Sequence, residues 1–420
     1  MSPHPVRGTA PARGGTLRVV GWLLALALAV SLATLAWGLG PILRGRGSHA
    51  LGDGKDPTTY GFALEPLLAP REALAASGMP RDGLRALVDP EMLPAALAND
   101  HEALGVLRGR YLVPGQRVVG LALDGDVRAY PLRVLNWHEV INDTVGGIPV
   151  AVTYCPLTDS AAVWDRRVGG RTLTFGVSGL LLDSNTLLYD RADGGGESLW
   201  TQLTGRAVAG PAAGRGEALA LVPAEVVPWA AWRARHPDTV VLKPDPALFK
   251  LYRRDPYGAY YGDGRLRFPV VPSPRPGHPA AKDRVVAIAA GGRWWVLPWA
   301  ALAGAGEAPR RVALGGEPFE LAWHAREPSV AVRRPDGTPA PAVSAMWFAW
   351  NALARAPGPP RPPAGTGASS HLSGETISRS GAGVLNYRLL KPEPAATRRS
   401  SGRRPLWPNV PALPVGRDAS

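Results

Sequence analysis

From Arg117 onward, apolar and polar residues alternate in short runs cut by Gly and Asp, the period-two pattern of strands with one buried face. Val118 to Leu123, Asp124-Gly125 and Asp126 to Tyr130 read as a hairpin with a tight-turn dipeptide. Pro131 stops the second strand, and LRVLNWHEV reads as a short helix or turn carrying His138 and Glu139. Gly146-Gly147 turns into Ile148 to Tyr154, where Val150, Val152 and Tyr154 share one face and Ala151, Thr153 and Cys155 the other. Pro156 has no N–H to donate and forces Cys155 into an extended backbone, so this strand ends at the cysteine. Further strands are expected over Ala161 to Asp165, Arg171 to Gly176 and Leu180 to Asp190, the last interrupted by Asp183-Ser184-Asn185. Pro223 to His236 carries Val226, Trp229, Ala230 and Arg233 at helical spacing and is the one clear helix.

A faint repeat runs through this pattern. Arg117-Val118-Val119 with Tyr130-Pro131-Leu132 recurs further along as Arg284-Val285-Val286 with Leu297-Pro298-Trp299. At nearly the same offset, Gly146-Gly147-Ile148-Pro149 leading to Tyr154-Cys155 recurs as Gly315-Gly316-Glu317-Pro318 leading to Trp323-His324. The expected fold is therefore mainly β with a few short helices, in two related β-rich lobes over 101–245 and 246–355. In the second, His324 replaces the thiol.

The flanks differ from this body. Residues 1–18 are basic, and the run from Val19 to Leu43 carries no charge and is long enough to cross a bilayer as a helix. Three arginines before the span and two after it favour an inside N-terminus. The expectation is a single-pass anchor in the cell membrane with an extracytoplasmic body; a signal peptide cleaved near Ser31-Leu32-Ala33 is the competing reading. Residues 44–100 read as a linker and short helices. Residues 356–420, rich in Pro, Gly, Ser and Arg, read as a disordered tail that cannot bury enough apolar area to offset its ordering entropy.

The net charge of +13 sits at the ends: residues 1–46 contribute five and those from Arg355 onward seven, leaving about +1 for the body. A near-neutral body offers no phosphate-tracking surface, so no nucleic-acid partner is expected. Cys155 is the sole cysteine, which excludes an intrachain disulfide.

Cys155-Pro156-Leu157-Thr158 has the outline of a C-x-x-C motif whose second thiol is a hydroxyl, able to hydrogen-bond a thiolate but not to close a disulfide. His138 is the candidate base for that thiol and Glu139 the group that orients it. Alternatively, Cys155, His138 and Asp165 form a donor set suited to copper or zinc. Asp183-Ser184-Asn185 is first a turn, and with Ser178 and Asp190 it is the candidate site for a small polar ligand.

These residues resemble a known family. AYPLRVLNWHEVINDTVGGIPVAVTYCPLTDSAAVWDR, LTFGVSGLLLDSNTLLYDR and SLWTQLTGRAVAG, in that order, are similar to the bacterial domain-of-unknown-function 3179 family. The resemblance implies a shared pocket from His138, Glu139, Tyr154, Cys155, Pro156, Ser178, Gly179, Ser184, Asn185, Asp190 and Trp200, but no named reaction. Many members place a second cysteine where this chain has Thr158, which argues against a dithiol redox role here and leaves a monothiol or metal role open.

Overall fold

Asp124 and Gly125 both adopt left-handed backbone, φ 45° and 82°, the two-residue turn whose twist matches that of paired strands. It joins Arg117–Leu123 to Asp126–Pro131, and the helix Leu132–His138 starts directly after Pro131. Val140–Val145, Ile148–Cys155 and Ser160–Asp165 follow as an antiparallel meander, with Cys155 paired opposite Ser160. The computed structural model describes residues 51–353 apart from 193–195, 275–278, 292, 304–307 and 327. The anchor expected at 19–43, the basic segment 1–18 and the tail at 356–420 lie outside the described residues. Among the described residues no helix is long and apolar enough to cross a membrane.

The architecture is mainly β with short helices. Three five-stranded sheets carry the first part of the chain. One runs Glu225–Pro228, Arg117–Leu123, Asp126–Pro131, Val240–Leu242, Met92–Pro94, and the next Ala220–Val222, Ser160–Asp165, Ile148–Cys155, Val140–Val145, Leu87–Val88. The third runs Leu74–Ala76, Phe175–Leu182, Asn185–Asp190, Leu199–Thr201, Ala207–Ala209. Three-stranded sheets follow: Arg293–Pro298, Arg284–Ala290, Ala342–Met346, and Arg310–Leu314, Glu317–His324, Ser329–Arg333. The segment read as one helix, Pro223 to His236, divides: Glu225–Pro228 is a strand and only Trp229–Arg235 is helical. Pairing with Arg117–Gly120 claims the β-branched Val226 and Val227, a tertiary demand that overrides the helical spacing. Between 51 and 100 the helical elements are three 3₁₀ turns, Pro57–Tyr60, Arg71–Ala73 and Ala95–Leu97.

Strand register carries the internal repeat further than the motifs did. Val118 pairs with Pro131, and Val285 pairs with Pro298 in the same way. Val145 pairs with Ile148 as Leu314 does with Glu317, and Cys155 with Ser160 as His324 does with Ser329, every partner displaced by the same step along the chain. The two runs lie within one compact unit and exchange their closing strands. Glu225–Pro228 packs against Ser329–Arg333, and Ala342–Met346 against Ser160–Asp165. Equivalent residues such as Val119 and Val286, Ala161 and Val330, or Val163 and Val332 line a cavity of about 20 Å³ between them. One apolar cluster holds Cys155, Trp164, Phe175 and Trp200 together with Val285, Val343 and Phe348, so the core beside the cysteine is shared by both runs.

Candidate functional site

Cys155 ends its strand because Pro156 follows it, and Thr158 N–H and Asp159 N–H close the turn onto the Cys155 and Pro156 carbonyls, both at 3.3 Å. The sulfur is wholly buried. It receives the Thr186 N–H at 3.4 Å and faces the Ser184 carbonyl at 3.9 Å. Glu139 reaches it from the end of helix Leu132–His138, where a left-handed backbone, φ 56°, stops the helix and turns the carboxyl inward. Glu139 Oε2 accepts a hydrogen bond from Thr186 Oγ1 at 3.0 Å. Burial, only partly offset by that bond, pushes the carboxyl pKa up to about 7. Burial first, and the Glu139 charge second, push the Cys155 thiol up as well, while the Thr158 and Thr186 hydroxyls and the Thr186 N–H pull the other way. Tyr257 is buried close enough to feel the charges of both Glu139 and Cys155.

A polar network without formal charge supports the thiol from the other side. Asn185 Nδ2 donates to Thr158 Oγ1 and Gln202 Oε1, each at 3.0 Å, and its Oδ1 accepts Leu203 N–H at 3.1 Å. Ser160 Oγ donates to Gln202 Oε1 at 2.8 Å, and Gln202 Nε2 donates to Thr153 Oγ1 at 3.0 Å. Thr158 has one hydroxyl proton, and Ser160 Oγ at 2.8 Å competes with the thiol for it. Every buried side chain of this network is paired, as buried polar groups must be to avoid their desolvation cost.

A family model described as a protein of unknown function (DUF3179) matches residues 81–338, which span both runs of the repeat and the whole of this site. The chain belongs to the DUF3179 family. No curated protein matches it, and no solved structure matches it.

In this DUF3179 chain the structure brings together Cys155, Glu139, Thr158, Asn185 and the backbone of Ser184, and separates the remaining candidates. His138 is not the base of Cys155. Its ring turns to the opposite side of the helix end, where Nδ1 donates to the Arg85 carbonyl at 2.7 Å and Nε2 accepts from Tyr252 Oη at 2.8 Å. Burial holds its pKa below the usual value, so it is a neutral, structurally committed imidazole. The donor set Cys155, His138 and Asp165 does not assemble either. Asp165 pairs opposite Val150, well back along the strand from Cys155, a separation of about 17 Å at the rise of a strand. Asp165 is occupied by Arg167 at 2.6 Å, and among the described residues no three His, Cys, Asp or Glu side chains are grouped to hold a metal ion, copper and zinc included.

The expected ligand set disperses in the same way. Ser178 donates to the Leu187 carbonyl at 2.6 Å within an irregular stretch of its strand. Asp190 accepts the Ser198 N–H at the far end of the strand that Asn185 begins. Asp183 and Ser184 form a two-residue turn with φ 51° and 62°, Asp183 accepting Val271 N–H at 2.8 Å and Ser184 Oγ donating to the Phe268 carbonyl at 3.0 Å. Burial raises Asp183 to about 6. Sequence reasoning missed Thr186, Gln202 and Tyr257. Thr186 stands one position beyond the polar triplet and was within reach of the motif; Tyr257 comes from a distant segment and carries no local signal.

Proposed function

We propose that Cys155 and Glu139 form a thiol–carboxyl acid–base pair, Glu139 taking the S–H proton as the sulfur attacks an electrophilic substrate. The reading replaces His138 by Glu139 as the base. It rests on one observation: a buried carboxyl with no cationic partner among the described residues, poised at about 7, set against the chain's only thiol. An unpaired buried carboxyl is costly, and such groups concentrate at functional sites. A base with a pKa near ambient pH combines a large deprotonated fraction with enough proton affinity to accept from a neutral thiol. With no second cysteine, the chemistry is nucleophilic and needs no disulfide partner. The charge-free span 19–43 and its flanking arginines support placing this chemistry outside the cytoplasm on a membrane-anchored body.

Alkylation of Cys155 by iodoacetamide against pH tests the pairing. In the wild-type chain the rate is expected to inflect near 7, where Glu139 ionises. Glu139→Gln removes the base while burial, the larger cause of the thiol's shift, remains. The neutral-pH rate should then fall by about 100-fold and the inflection move above the ordinary thiol range. A thiol that reacts only as the chain unfolds, or a profile indifferent to Glu139→Gln, would sink the pairing. The complete burial of Cys155 favours one other reading, a scaffold in which Cys155→Ser changes stability alone.

A further inference from the structure

The wall of the site opposite the sheets is built by a segment with little structure of its own. After the short helix Gly258–Gly262, no helix or strand forms from Asp263 to Val271. Its hydrogen bonds go to the two turns that frame Cys155. Tyr260 Oη donates to the Leu157 carbonyl and Tyr261 Oη to the Pro156 carbonyl, each at 3.0 Å. Ser184 Oγ donates to the Phe268 carbonyl at 3.0 Å, and Val271 N–H donates to Asp183 Oδ1 at 2.8 Å. Tyr257, Phe268 and Val270 fill the space between, in the same apolar cluster as Cys155.

Two features distinguish this segment from ordinary covering chain. It is joined to the body through side-chain and turn contacts, with no strand ladder to break, so it can leave without disturbing the sheets. Its removal would uncover the Pro156–Asp159 turn and the Asp183-Ser184 turn together, the two sides of the thiol. Among the described residues, no other segment of irregular chain is bonded to both turns. Loops of this kind over a buried reactive group act as lids that exclude water and open for substrate.

We propose that residues 257–271 are a lid that swings off these two turns to admit substrate to Cys155 and Glu139, an inference that rests on the thiol–carboxyl reading. The test uses the full chain in detergent, comparing wild type with the Tyr260→Phe/Tyr261→Phe double variant, which keeps both rings and deletes both clasping hydroxyls. Amide hydrogen exchange over 257–271 and the alkylation rate of Cys155 at fixed pH are measured on each. Wild-type lid amides are expected to exchange faster than those of the strand Ile148–Cys155. In the variant, lid exchange and alkylation should rise together by about 10-fold or more, from two lost hydrogen bonds, with strand exchange unchanged. Faster lid exchange over an inert thiol upholds the lid and overturns the acid–base pairing. Lid amides that exchange only together with Ile148–Cys155, in the wild type or the variant, overturn the lid whatever the thiol does.

Discussion

Replacing Asp159 by alanine is expected to lower the unfolding free energy by about 3–5 kcal/mol, the cost of stripping one partner from a buried ion cluster. The Asp159 side chain is wholly buried. It accepts from Arg117 Nη2 at 2.9 Å, from Arg284 Nε and from Tyr154 Oη at 2.8 Å. Arg117 and Arg284 begin the equivalent strands of the two runs, so one carboxylate ties both copies to the turn that carries Cys155. Its loss leaves two guanidinium groups facing each other with neither neutralised. Burial works to raise the Asp159 pKa, but the two arginines outweigh it and hold the group down at about 2, against 3.8 unperturbed. Because the folded value is the lower one, this stabilisation is present above pH 4 and is lost as pH falls towards 2, a change of about 2–3 kcal/mol. Urea unfolding at pH 7, 4 and 2.5 checks both statements. A variant within about 1 kcal/mol of wild type at pH 7, or one that keeps the wild-type loss below pH 4, would refute them. Asp159→Asn, which preserves shape, should fall between the two.

The parts of this fold that were legible in the sequence are those decided by neighbouring residues. Asp124-Gly125 demanded a left-handed turn and received one, and Pro156 ended the strand at Cys155. The repeat was legible for the same reason, since its turn glycines and strand starts recur, and the pairing registers place His324 opposite Ser329 as Cys155 is opposite Ser160. Alternation along Ile148–Cys155 identified a strand but could not reveal that both of its faces are covered from Val150 onward. That depends on two cores, with Val150 and Val152 in one and Ala151 and Cys155 in the other. The choice between His138 and Glu139 was also undecidable locally. It turns on the left-handed backbone of Glu139, which sends adjacent side chains to opposite sides, and on Tyr252 and Thr186, which claim one each from distant parts of the chain.

Glu139→Gln is expected to stabilise the protein at pH 8 by about 3 kcal/mol while leaving it unchanged at pH 4. Glutamine keeps the shape, and its Oε1 can accept the Thr186 hydroxyl that Glu139 accepts at 3.0 Å. What it removes is a charge in a place with nothing among the described residues to neutralise it. The folded pKa of about 7 stands above the unperturbed 4.5, so the folded chain holds a proton that the unfolded chain has released. Stability is therefore full below pH 4.5 and falls as pH rises towards 7, by about 1.4 kcal/mol for each unit between the two values. The variant has nothing to ionise there, and its stability should stay level over the same range. Urea unfolding of both proteins at pH 4, 6 and 8 reads the difference directly; parallel curves would mean that the carboxyl is not held in the dry, unpaired setting beside Cys155. The outcome also bears on function. A side chain whose neutral replacement stabilises the fold at neutral pH is retained against its cost to folding, and the alkylation profile of Cys155 in the same variant measures what the charge accomplishes. Stabilisation accompanied by loss of thiol reactivity is the trade expected of a group placed for chemistry.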